Sequence, residues 1–173
     1  MSTIWMPGSD PTRIAVTLDP RTFQLDGIAV HGNTPFSCPV ISQIDDTLWV
    51  GGCINGLRLP DEIRHVVSLY PWEQYRAHDD VYSVLSVVMY DSEGEIDSAC
   101  VHRIARWVNE CRADAPTLVH CQAGLNRSNL ITATALVLSG MMPATAIALL
   151  REKRSPAVLC NRNFEDWVME QAE

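Results

Sequence analysis

A chain of 173 residues, 47% apolar and 20% charged, has the length and balance of one globular domain with a sizeable core. A formal net charge of −8 without a strong basic run speaks against a nucleic-acid binder that relies on bulk electrostatics, although it leaves room for a local positive pocket. Six cysteines (38, 53, 100, 111, 121 and 160) form no C-x-x-C pair or regular framework, and the five histidines have no zinc-like spacing, so reduced thiols and no metal site are expected.

Met1 to Trp5 carry neither a basic run nor a long apolar core, and no stretch is long enough to span a membrane. A cytoplasmic protein without a membrane partner is the expectation. Residues 1–37 are punctuated by Pro7, Gly8, Pro11, Pro20, Gly27, Gly32 and Pro35. Between them, Arg13–Leu18 and Ile28–His31 read as short strands joined through Asp19-Pro20-Arg21. This extension is either a hairpin on the domain edge or a loose segment, with the hairpin favoured.

From residue 38 to 173 strands alternate with helices. Thr47–Val50 reads as a strand ending at Gly51-Gly52, Arg58–Arg64 as a short helix, Val66–Leu69 as a compact strand and Val81–Tyr90 as a long valine-rich strand. The acidic loop Asp91-Ser92-Glu93-Gly94-Glu95 follows, and Asp97 is placed to cap a helix that presents Val101, Ile104, Val108 and Cys111 on one face. Leu130–Leu138 is apolar all round, as a buried helix should be; Gly140 ends it, and Pro143 opens the next helix, which reaches about Lys153. Asn161 caps the last helix, with Phe164, Trp167 and Val168 inward. The pattern predicts an α/β fold with a central, largely parallel sheet flanked by helices.

The chemistry concentrates in Pro116–Ser128, PTLVHCQAGLNRS. Thr117-Leu118-Val119 is a short buried-strand pattern, and Cys121 ends it. Gly124 lies three residues on, Arg127 six, and a long helical run begins after Ser128. A strand, a tight loop and a helix N-terminus turn backbone N–H groups toward an anion. Positive charge and a helix N-terminus can lower a cysteine pKa to roughly 3.5–7.5, and Arg127 offers a planar fork for two phosphate oxygens. The spacing alone is weak, because Cys100 and Arg106 share it; there, a core cysteine and a surface arginine of one helix explain it.

His120-Cys121-x-x-Gly124-x-x-Arg127-Ser128 resembles the signature loop of the cysteine-dependent protein tyrosine phosphatase superfamily, and its details are most similar to the dual-specificity phosphatases. Ile41-Ser42-Gln43-Ile44 and Leu48-Trp49-Val50-Gly51-Gly52 resemble the opening strands of that family, and Pro156–Asn161 with Phe164 its closing helix. The resemblance covers about Val40 to the C-terminus. It implies that the Cys121 thiolate attacks phosphorus and forms a cysteinyl-phosphate. Residues Gln122, Ala123, Gly124, Leu125, Asn126 and Arg127 then hold the phosphate, Ser128 assists the sulfur to leave, and His120 orients the loop. A general acid is implied some thirty residues earlier, after a strand and before a helix. Asp91 fits, and its rival Asp97 is better explained by capping. No cofactor or metal is implied, and the implied partner is a phosphorylated protein, carrying phosphotyrosine and, by the dual-specificity resemblance, phosphoserine or phosphothreonine.

Uncharged Gln122 and Leu125 depart from the basic loop residues of the phosphoinositide phosphatases of this superfamily. Gly124-Leu125-Asn126-Arg127 is also similar to the RNA 5′-triphosphatase branch, which stays open as the alternative. A phosphate-binding pseudoenzyme and a rhodanese-like sulfurtransferase are the readings from other classes. Tyr70, Trp72 and Tyr75 either line the cleft or cap the core. Cys53 is the candidate disulfide partner of an oxidised Cys121.

Overall fold

The computed structural model describes residues 12–16, 26–31, 34–54, 56–71 and 79–172. Before residue 38, β1 (Thr12–Val16) pairs antiparallel with β2 (Asp26–His31), and β2 with β3 (Thr34–Pro39). Sequence reading anticipated two strands here and not the third. Pro35 and Pro39 argue against a strand, but β3 is the outer strand of the order β1-β2-β3, where a missing N–H is tolerated. β3 straddles the domain boundary expected at residue 38. The connection Asp19-Pro20-Arg21 lies outside the described residues.

The second sheet runs β4 (Ile41–Gln43), β5 (Leu48–Gly51), β8 (Thr117–His120), β6 (His65–Ser68), β7 (Ser83–Ser86) in spatial order. Only β4 is antiparallel to its neighbour. Every residue of β6 and β8 is buried, as central parallel strands covered on both faces must be. Gly51, His120 and Ser68 stand level at the C-terminal ends of β5, β8 and β6.

Among the described residues four helices flank the sheet: α1 (Ser98–Asp114), α2 (Arg127–Leu138), α3 (Pro143–Lys153) and α4 (Arg162–Met169). The Asp97 carboxylate accepts from Cys100 N–H at 2.9 Å, which caps α1. α2 is buried from Arg127 to Leu136 and packs between α1 and α3. Its two interior threonines return their hydroxyls to the helix, Thr132 to Ser128 O (2.8 Å) and Thr134 to Leu130 O (2.7 Å), which makes their burial tolerable. Gly140 adopts φ +98°, and the bonds Gly140 N–H to Val137 O (2.8 Å) and Met141 N–H to Leu136 O (3.1 Å) close α2 with a Schellman motif.

Two expected elements differ. No helix forms over Arg58–Arg64; the segment turns at Asp61-Glu62 and buries Leu59 and Ile63. Pro60 disfavours helical backbone at Leu59, and the remaining run is too short to nucleate a helix. The Val81–Tyr90 run keeps its alternation of half-buried and exposed residues, but regular pairing holds only over Ser83–Ser86. Its partner β6 ends at Ser68, and beyond it only Val87 N–H to Ser68 O (2.8 Å) and a long Met89 N–H to Leu69 O bond (3.5 Å) continue the ladder.

Candidate active site

The loop from Cys121 to Asn126 joins the end of β8 to the start of α2, and its carbonyls are all held from outside. Gln122 O accepts from Cys53 N–H (2.9 Å), and Ala123 O from Arg154 Nη2 (2.9 Å). Gly124 O accepts from Arg154 Nε and from Asn129 Nδ2 (2.9 Å). Leu125 O accepts from Asn129 Nδ2 (3.1 Å) and Leu159 N–H (2.9 Å), and Asn126 O from Leu130 N–H (2.8 Å). The N–H of a trans peptide points opposite to its C=O, so tying the carbonyls outward turns the amides inward. Gly124 N–H shows the result, donating to Cys121 Sγ at 3.2 Å. Gly124 has φ +70°, and a Cβ there would overlap the Arg154 guanidinium and the Gly51 backbone. The loop therefore needs glycine on two separate grounds.

Cys121 Sγ also lies 3.4 Å from Ser128 Oγ. His120, at the end of β8, is buried, and its Nδ1 faces Cys121 O at 3.4 Å, a contact in which the ring nitrogen must donate. Burial, opposed by that hydrogen bond and reinforced by the charge of Arg127, pushes the His120 pKa down to about 4, so the ring is neutral near neutral pH. Arg127 is fully buried; its Nη1 donates to Met89 O at 3.2 Å, and its guanidinium carbon lies 5.1 Å from the centre of the Tyr70 ring. Tyr70 is thus a buried neighbour of Arg127, whereas Trp72 and Tyr75 lie outside the described residues. Gln122, Ala123 and Leu125 are buried, and Cys38, Ala123, Leu125 and Ala157 pack together beneath the loop, with Cys160 against them.

Asp91 comes to this loop from the segment after β7. Asn126 Nδ2 donates to its Oδ2 at 2.9 Å, and Asn161 Nδ2 to its Oδ1 at 2.8 Å. Asp97, the rival, spends its carboxylate on α1. A cavity of about 250 Å³ behind the acidic loop is lined by Val87, Met89, Ile96, Val101, Leu130 and Phe164 among others; no residue of 121–128 lines it, so it is separate from the anion loop.

The structure sets Ser128 against the Cys121 sulfur with His120 beside it, ties Asp91 to the same loop through Asn126, and turns the Arg127 guanidinium to Met89 O and the Tyr70 ring. Three residues that build the site were not singled out for it. Arg154 follows the helix expected to end near Lys153, and it is only 5% exposed. A positive charge in an RSPAV context carries no sign of burial. Asn129 followed the motif and drew no attention. Asn161 was legible only as a cap, because its other contacts lie 35 and 70 residues away in sequence. Among the described residues no cluster of His, Cys, Asp and Glu is arranged to hold a metal, and no helix is long and apolar enough to cross a membrane.

No protein-family model and no curated protein sequence matches the chain. Solved structures do. Human DUSP28 superposes with a TM-score of 0.64 at 18% identity, covering 76% of this chain and 94% of its own. Tk-PTP in its active form gives 0.58 at 23% identity, covering 76% and 97%. PTPMT1 in complex with PI(5)P gives 0.53 at 17% identity, covering 78% and 99%. The parallel sheet with its loop and helix at the end of β8 is accordingly that of a known architecture, and the chain has the fold of the dual-specificity and tyrosine phosphatases.

Proposed function

We propose that the protein is a cysteine-dependent phosphatase that hydrolyses phosphate esters on proteins, phosphotyrosine foremost. The observation that carries this reading is the Cys121 sulfur under a loop whose carbonyls from Gln122 to Asn126 are all bonded outward, with the Asp91 carboxylate fixed to the same loop through Asn126. An inward ring of amides is a phosphate cradle, a sulfur at its base is a nucleophile, and a carboxyl group at its edge is a proton donor.

In the first step the Cys121 thiolate attacks phosphorus in line. The ester P–O bond breaks, and its electron pair leaves on the substrate oxygen, which takes the proton of Asp91. The loop amides and Arg127 hold the equatorial oxygens of the phosphoryl group throughout. In the second step water attacks phosphorus, Asp91 takes the water proton, and the S–P pair returns to Cys121, to which Ser128 Oγ donates. The apolar buried bed of the loop keeps these charges away from bulk water, where the same dipoles would be worth less. None of the six cysteines is in a disulfide, which supports extending the proposal to a reducing, cytosol-like compartment.

Cys121→Ser should abolish turnover while leaving fold and vanadate binding in place, because a hydroxyl is a far weaker nucleophile than a thiolate; activity within tenfold of the wild type would sink the mechanism. Asp91→Asn should slow esters with poor leaving groups by roughly 10²–10⁴-fold and a nitrophenyl ester much less, since nitrophenolate departs with little help. Equal slowing of both esters would remove Asp91 from the role of acid. A panel of phosphotyrosyl, phosphothreonyl, phosphoinositide and 5′-triphosphate RNA substrates assigns the substrate class, and preference for the last would favour the RNA branch over the protein phosphatase.

A further inference from the structure

Asn126 stands immediately before α2, where an asparagine side chain ordinarily caps the helix. Here it makes no cap hydrogen bond. Its side chain is fully buried and turned to other partners. Asn126 Oδ1 accepts from the backbone N–H of Asn161 at 3.0 Å and from Cys160 Sγ at 3.3 Å. A backbone N–H can only donate, so the oxygen must be on that side and Nδ2 must face Asp91 Oδ2. The same logic orients Asn161. Its Oδ1 accepts from Asn163 N–H at 3.1 Å, which caps α4, so its Nδ2 must face Asp91 Oδ1, and it also donates to Ser92 O at 3.1 Å. Neither amide can be flipped without setting two hydrogen-bond donors against each other.

We propose that Asn126 and Asn161 are positioning residues that clamp the Asp91 carboxylate to the phosphate loop, one amide on each oxygen, and that their effect on the reaction passes through Asp91. The proposal rests on the reading of Asp91 as general acid. A carboxylate has about four lone-pair sites, and the two amides occupy two of them, one on each oxygen. The clamp ties three distant parts of the chain: Asn126 belongs to the loop that holds the nucleophile, Asn161 to the start of α4, and Asp91 to the segment after β7. It fixes the acid by one hydrogen bond to the loop that carries the sulfur, and so limits its drift from the geometry that proton transfer in the transition state requires. Because Asn126 lies between two loop residues, the acid and the anion cradle move as one body.

The test is a leaving-group series of aryl phosphates on the full chain, with Asn126→Ala and Asn161→Ser each made alone and in the Asp91→Asn background. Serine keeps a capping oxygen for α4 and removes only the amide donor, so Asn161→Ser stays informative if Asn126→Ala does not fold. Each single variant should lower kcat for the poorest leaving group roughly tenfold to a hundredfold, part of the ~10²–10⁴-fold that a positioned acid contributes. In both variants the nitrophenyl ester should lose less than the poorest leaving group, so that the dependence of kcat on the leaving group steepens, and in Asn161→Ser KM should move little. In the Asp91→Asn background the same substitutions should cause no further loss, because residues that act as a unit are not additive. Equal losses on good and poor leaving groups, or a loss that persists without the Asp91 carboxylate, would overturn the clamp while leaving the acid in place. An Asp91→Asn enzyme without leaving-group dependence would overturn the acid and the clamp with it, and the two failures are told apart by that single variant.

Discussion

Arg154 is the residue on which the loop's shape depends. A buried guanidinium is tolerable only when its donors are engaged, and these reach Gly124 O, Ala123 O (2.9 Å), Pro39 O (3.0 Å), Ser42 Oγ (3.1 Å) and Val50 O (3.4 Å). Burial lowers its pKa, and negative charge on the Cys38 and Cys121 sulfurs, when ionised, opposes the shift. One planar group thereby joins β3, β4, β5 and the phosphate loop, a reach that the single ammonium of lysine does not have. Arg154→Met should leave Ala123 O without its donor and Gly124 O with Asn129 Nδ2 alone, and cost about 1–3 kcal/mol of stability, the cost of a buried acceptor left unsatisfied. It should also weaken vanadate binding at least tenfold, because the Ala123 carbonyl then has no donor to hold it outward and the Gly124 carbonyl keeps only Asn129 Nδ2. A urea titration and a vanadate titration read the two effects; vanadate affinity equal to wild type would show that the loop keeps its shape without Arg154.

At the scale of elements, helix α1 shows which parts of the fold the sequence makes legible. Asp97 and the periodic Val101, Ile104, Val108 and Cys111 are local signals, and the helix lies where they put it. α2, α3 and α4 follow for the same reason, through Gly140, Pro143 and Asn161. β7 and β3 were less legible because a strand's length is set by its partner: β6 ends at Ser68 whatever the β-propensity of Val87 and Val88, and β3 exists because β2 is there to pair with it. The candidate site divides in the same way. Cys121, Gly124, Arg127 and Ser128 form one contiguous motif, whereas Arg154 and Asn161 join it only through contacts over 30 to 35 residues. The capping reading of Asp97 predicts that Asp97→Asn changes stability by less than about 0.5 kcal/mol and Asp97→Ala lowers it by about 1 kcal/mol, as N-caps do. Neither should alter leaving-group dependence. Thermal unfolding and the aryl phosphate series check both points, and leaving-group dependence in Asp97→Asn would move the acid from Asp91 to Asp97.

For the molecule as a whole, the site sits where β5, β8 and β6 end level at Gly51, His120 and Ser68, the C-terminal edge at which parallel sheets present their loops. His120 is the link between that edge and global stability. Its main chain completes the sheet, accepting from Leu69 N–H at 2.8 Å, and its neutral ring is packed at the core side of the loop. Unfolded, the ring takes up a proton near pH 6.5; folded, only near about 4. Between those values the unfolded chain binds more protons than the folded one. Stability therefore falls as pH drops from about 6.5 to about 4 and is not further affected by this residue outside that window. At about 1.4 kcal/mol per pH unit the full contribution is about 3 kcal/mol. A protonated ring would also put a second cation beside Arg127, so acid should loosen the phosphate loop and the fold together. Urea midpoints at pH 7, 5.5 and 4 should fall steeply for the wild type. His120→Asn, less stable at pH 7, should show a flatter fall, because asparagine has no proton to take up. If the two curves run parallel, the acid sensitivity of the fold comes from its carboxylates and not from the histidine at the end of β8.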